Sequence, residues 1–164
     1  MFIAKKLIMK NLLYIFIWLI FIPNYVKAND WMLDAQAQIK TKQITLPSVV
    51  TFISTEINGT WDDNLGFYGK FSCYGYIEKY KSNVKLNTFC EFFNQFKEKW
   101  WSISMRDSSE VEAGIGKSTL VRGEGRYEKL NNQECTYASK LLDDVAFIKS
   151  KCILSAEVLE SITK

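Results

Sequence analysis

The chain contains no histidine and only two prolines, Pro23 and Pro47. Without imidazole there is no Ser-His or Cys-His nucleophile pair and no general base titrating near neutrality. The commonest metal ligand is missing as well. Low-complexity runs and Pro/Gly/Ser linkers are also absent, so nothing divides the chain into domains. A charge excess is lacking too, once the N-terminal segment is set aside. The whole chain carries +3, but Lys5, Lys6, Lys10 and Lys27 sit in the first 28 residues and no acid does. The remainder holds 17 basic and 18 acidic residues, a net charge of −1. Scattered, balanced charge leaves no footprint for nucleic acid or acidic lipid.

The first 28 residues have the plan of a secretory signal peptide. Lys5, Lys6 and Lys10 precede an unbroken apolar run from Leu12 to Ile22, Pro23 breaks it, and Val26-Lys27-Ala28 offers small residues to a signal peptidase. Eleven apolar residues fall short of the ~20 that a spanning helix needs. No cysteine follows the cleavage point, so no lipid anchor is indicated. The expected mature chain, residues 29–164, is a single extracytoplasmic domain with no membrane span, long enough to bury its own core.

What is abundant is aromatic: Trp31, Trp61, Trp100, Trp101, Tyr68, Tyr74, Tyr76, Tyr80, Phe89, Phe92 and Phe93 stand in that segment. Aromatic wealth with little proline suits β-strands. Four cysteines in an exported chain read as two disulfides, for which three connectivities exist. Cys73 and Cys90 are 17 apart, and so are Cys135 and Cys152. Such equal spacing points to two hairpins turning at Lys81-Ser82 and Asp143-Asp144. In the first, the register that opposes Cys73 and Cys90 also sets Phe71 against Phe92 and Ile77 against Leu86 on the same face. Glu78 meets Lys85 on the other. A slip of one residue would flip all of these. With two-residue turns both cysteine pairs fall at non-hydrogen-bonded positions, where β-carbons approach most closely. Neither Lys-Ser nor Asp-Asp is a preferred turn dipeptide. No Cys-x-x-Cys spacing indicates redox chemistry.

Period-two alternation predicts further strands at 51–57, 99–106, 117–122 and 125–130, with 134–142 and 145–153 as the second hairpin. Residues 29–40 are expected to begin with a helical turn, and Ser155 to cap a short helix over 156–162. Seven or eight short strands with regular turn signals predict an all-β fold: one antiparallel up-and-down barrel or a related sandwich.

Several motifs read structurally. Gly114-Ile115-Gly116-Lys117-Ser118-Thr119 carries the end of a phosphate-binding loop, but Val111 stands where its first glycine belongs. It is expected to be a flexible turn entering a strand. Asn58-Gly59-Thr60 is a glycosylation sequon, read here as a turn before Trp61. Asp62 and Asp63, or Asp107 with Glu110 and Glu112, match no calcium-loop spacing. No metal or cofactor is expected.

Two local resemblances reach named residues. Gly123-Glu124-Gly125-Arg126-Tyr127-Glu128-Lys129-Leu130 resembles the G-x-G-x-[FY]-x-x-[LA] hairpin of dirigent and allene oxide cyclase-like proteins. The likeness, spanning residues 123–132, implies a barrel around an apolar cavity and carries over no catalytic residue. Gly59-Thr60-Trp61-Asp62-Asp63-Asn64-Leu65-Gly66 resembles the opening of avidin-like biotin binders and, more distantly, the Gly-x-Trp start of lipocalins. It implies that Trp61 closes the barrel floor. Where avidins present Asn and Ser to biotin, this chain has Asp63 and Phe67.

The functional expectation is a non-enzymatic exported protein that holds a small, apolar or anionic ligand inside its barrel. Its candidate contacts are Trp61, Trp100, Trp101, Arg106 and Arg122. An inward arginine in an apolar cavity requires an acid or an anionic ligand. The alternatives are an exterior interaction module presenting Tyr74, Tyr76 and Phe89, and a His-independent cyclase or isomerase.

Overall fold

A computed structural model describes residues 30–47 and 50–164. The expected leader, residues 1–28, lies outside the described residues. Eight antiparallel strands close into one barrel in which each strand pairs with its chain neighbours and the first pairs with the last. They are β1 (Asp30–Thr45), β2 (Val50–Asp63), β3 (Tyr68–Tyr80), β4 (Asn83–Asn94), β5 (Lys99–Ser108), β6 (Ala113–Gly123), β7 (Glu134–Leu142) and β8 (Val145–Ile153). A 3-10 helix, Gly125–Leu130, joins β6 to β7, and a short α-helix, α1 (Ala156–Thr163), ends the chain. Ser155 caps α1 by accepting from the Val158 amide at 3.3 Å, as its side-chain chemistry predicts.

The cysteine hairpins have the expected register. Cys73 opposes Cys90, Phe71 opposes Phe92, Ile77 opposes Leu86 and Glu78 opposes Lys85. Cys135 opposes Cys152 across the second hairpin. Both disulfides are formed, with Cα–Cα distances of 4.0 and 4.2 Å. That short spacing belongs to non-hydrogen-bonded pairs. The turns are two residues long, with Lys81 and Asp143 at φ 53° and 56°. A side chain resists this left-handed region. Pairing of the buried inner faces, stapled by the disulfides, therefore fixes the register and imposes the turn.

Four local expectations are corrected. In place of the helical turn expected at the start of residues 29–40, β1 is extended from Asp30, the first described residue, onward. Trp31, Ala35 and Ala37 alternate inward with exposed Met32, Asp34, Gln36 and Gln38. Its pairing to β2 and β8 removes two sheet edges, which a helix could not do. Residues 125–130 form a 3-10 helix and not a strand: Tyr127 and Leu130 lie three apart, one 3-10 turn, so both point into the core and are fully buried. Asn58-Gly59 lies inside β2, not in a turn, where Asn58 donates to Glu56 at 2.9 Å and accepts from Ser72 at 2.7 Å. Residues 114–119 likewise lie within β6.

One end of the barrel is plugged by rings. Trp61 meets Trp100 edge-on at 4.6 Å, Trp100 lies 4.4 Å from Tyr127, and Trp31 sits 5.6 Å from Trp100. Trp61 is 2% exposed, and its indole N–H donates to the Lys70 carbonyl at 3.3 Å. The Trp31 indole donates to Asp63 at 2.8 Å. Asp63 also accepts from the Leu65 and Phe67 amides, so this acid shapes a turn. Leu154 and Ile162 cover the plug from outside the strands. Arg126 ties the 3-10 helix to the β4–β5 turn through an ion pair with Glu98. Burial alone would raise the Glu98 carboxyl, but hydrogen bonds from Asn94 and Arg126 hold it below the ordinary range.

Candidate functional site

The interior above the plug is a cavity of about 290 Å³. Its floor is Trp31, Phe71, Phe92 and Trp100, with Phe71, Phe92 and Trp100 stacked at spacings of 5.1 and 4.8 Å. Its waist carries both disulfides together with Ile57 and Leu120. Towards the hairpin-turn end the lining mixes Ile53, Ile77, Leu86 and Leu141 with hydroxyls of Thr41, Thr55, Ser104, Ser118 and Ser139. Native interiors have few voids larger than a water. Space of this size is therefore an exception to ordinary interior packing.

The narrow inner face of β6 makes this room. Gly114, Gly116 and Ser118 alternate inward along it, while Lys117 points outward to Glu134 at 3.0 Å. A β-carbon on Gly114 would fall 2.8 Å from Cδ of Arg106. One on Gly116 would fall 2.6 Å from the Tyr137 ring. These glycines leave space for Arg106 from β5 and Tyr137 from β7 to lie across the wall. The segment that mimics a phosphate loop is thus the thin side of the barrel.

Arg106 is 5% exposed and lines the cavity. One terminal nitrogen donates to Ser139 Oγ at 2.9 Å, and the other to the Val111 carbonyl at 2.8 Å. Its Nε–H has no hydrogen-bond partner, nor have the hydroxyls of Tyr137 and Thr55. All three residues line the cavity and are more than nine-tenths buried. Burial pushes the Tyr137 phenol above its usual range, with Arg106 pulling modestly the other way. Tyr137 is therefore a neutral O–H donor near neutrality.

The other expected contacts divide. Trp100 forms the floor. Trp61 lies below it in the plug and does not line the cavity. Trp101 is on the outer surface, donating to Glu91 at 3.1 Å, and exposed Arg122 lies 6.0 Å from its ring. The outward turn of Arg122 has a local cause. The β5–β6 register shifts between Trp101 and Ser102, which pair with Arg122 and Leu120 and leave Val121 as an extra residue. This bulge reverses the alternation that would have aimed Arg122 inward. Sequence reading missed Tyr137, Thr55 and Ser139. Alternation from Cys135 at positions 137 and 139 was the available signal.

Tyr74, Tyr76 and Phe89 are exposed on the outer face, at 61%, 45% and 50%. Among the described residues no cluster of acids and cysteines could hold a metal ion. No helix among them is long and apolar enough to cross a membrane. No family model, curated protein or solved structure matches this chain.

Proposed function

We propose that this protein is an exported, non-enzymatic binding protein that encloses a small, partly apolar ligand within its barrel. The observation that carries the reading is the lining of the cavity. An aromatic floor sits below a small number of convergent polar groups, the pattern of small-molecule sites. Three of those polar groups are buried without a partner, although buried polar groups are ordinarily satisfied. Two disulfides suit an oxidising compartment. The outer face supports a water-surrounded barrel: Lys70, Glu78, Lys85, Glu91, Lys117 and Lys149 stand on it, where a lipid-facing barrel carries an apolar band.

Two measurements test this reading. The neutral probe N-phenyl-1-naphthylamine, titrated into the protein, should give a saturable rise in fluorescence that Trp100→Ala alters. Native mass spectrometry of protein exported by a host cell should show a small non-covalent adduct. Absence of both would sink the binding reading. Export is tested separately by N-terminal sequencing of the extracytoplasmic protein, which should begin at Asn29. A retained Met1 on a membrane-embedded chain would overturn it.

A second reading, an exterior interaction module, draws on one observation. Tyr74, Phe89 and Ile103 form a single cross-strand row on the outer face of β3, β4 and β5. Exposed apolar rows of this kind mark contact surfaces.

A further inference from the structure

The cavity lining contains a single ionisable charge. Of its residues, which include no Asp, Glu, Lys or His, only Arg106 is charged. No carboxylate forms an ion pair with it among the described residues. A buried cation is ordinarily matched by an acid or by a bound anion. Its present partners, Ser139 and the backbone carbonyls of Glu110 and Val111, are neutral and leave the Nε–H unmet. The second unmet group on the same wall, the Tyr137 hydroxyl, is also a donor. Both therefore lack an acceptor, and the charge balance asks that the acceptor be negative.

We propose that the ligand is a monoanionic amphiphile, an aliphatic or aryl carboxylate. Its carboxylate sits on Arg106 and Tyr137, and its apolar tail lies on the Trp100–Phe92 floor. This rests on the binding reading above and adds charge and orientation to it. Orientation follows from the fold. Arg106 is two residues from the hairpin-turn end of β5, beneath the β5–β6 loop that supplies Val111, whereas the rings are at the plugged end. A single negative charge fits better than two. One guanidinium offers a fork to a carboxylate, while a dianionic phosphate monoester would leave one charge unmatched among apolar walls. Gly114 is the positioning residue, since any side chain there displaces Arg106.

The test displaces N-phenyl-1-naphthylamine from the protein with decanoate, decan-1-ol, decylamine and decyl phosphate. The wild type should bind decanoate at least ~10-fold tighter than decan-1-ol, as a hydrogen bond to a charged group implies, with decylamine weakest and decyl phosphate below decanoate. Arg106→Gln should abolish the preference for decanoate while leaving decan-1-ol within about twofold, because the floor is untouched. Tyr137→Phe should weaken decanoate by about 3–10-fold and spare decan-1-ol, the worth of one hydrogen bond. Gly114→Ala, which keeps the charge but displaces it, should also lower the preference. The wild-type series needs no variant, so a misfolded Arg106→Gln does not rescue the idea. Equal binding of decanoate and decan-1-ol by the wild type refutes the anion assignment while leaving the binding reading intact. If the neutral probe does not bind and native mass spectrometry shows no adduct, the binding reading fails and this inference with it, whereas an adduct that proves neutral or cationic refutes the anion assignment alone.

Discussion

Trp61→Ala is expected to lower stability by about 3–5 kcal/mol, the usual cost of truncating a buried large aromatic. Trp61 is wedged against Trp100 at 4.6 Å, and its N–H is committed to the Lys70 carbonyl. The substitution removes an edge-to-face ring contact, opens a void in the plug and leaves that carbonyl without its side-chain donor. For a domain of this size the loss corresponds to a fall in Tm of roughly 10–20 °C. Ligand affinity, measured well below the new Tm, should change little because Trp61 does not line the cavity. Trp100→Ala gives the contrasting signature. That ring belongs both to the plug and to the cavity floor, so stability and binding should fall together. A near-wild-type melt for Trp61→Ala would show that the ring cluster does not close the barrel.

Removing both disulfides is expected to have the largest effect of all. Each closes a segment of 17 residues, for which the chain-entropy account gives about 3 kcal/mol. Together they approach the whole stability of a typical domain, ~5–15 kcal/mol. Cys73→Ala with Cys90→Ala, and Cys135→Ala with Cys152→Ala, should each shift the urea midpoint clearly. The quadruple variant should be largely unfolded at 37 °C. The two pairs lie on different hairpins, so their effects should be close to additive. Non-reducing peptide mapping should recover Cys73–Cys90 and Cys135–Cys152 alone. A shift equivalent to under ~1 kcal/mol on full reduction would show that paired strand faces, not cross-links, hold the register.

Fold class, the two hairpins and the C-terminal helix were legible in the amino-acid order for one reason: their determinants are local. Alternation around Cys73 and Cys90 assigns each side chain to a face. The pairing partner lies only one two-residue turn away, so one register satisfies Phe71/Phe92, Ile77/Leu86 and Glu78/Lys85 together. Ser155 likewise caps its helix through an amide three residues on. Even here the turns at Lys81 and Asp143 take a backbone conformation their residues do not favour, which only the flanking pairs explain.

Where the determinants are distant, the sequence was silent. β1 alternates, but its strand identity depends on pairing with β8, more than a hundred residues away. Residues 125–130 contain glycine and an aromatic in a strand-like pattern. They fold as a 3-10 helix because Tyr127 and Leu130 must both reach the ring plug. The two candidate arginines show the division most clearly. Each follows an apolar-and-polar alternation, and the residues alone give them equal standing. A bulge of one residue at Val121 turns Arg122 to solvent. Unbroken alternation carries Arg106 inward, across a wall thinned by Gly114 and Gly116. The composition of the chain, with no histidine and many rings, limited what this protein does. Barrel closure decided that one cation, one phenol and one threonine hydroxyl would be buried together above an aromatic floor, because only closure brings β2, β5 and β7 around a shared interior.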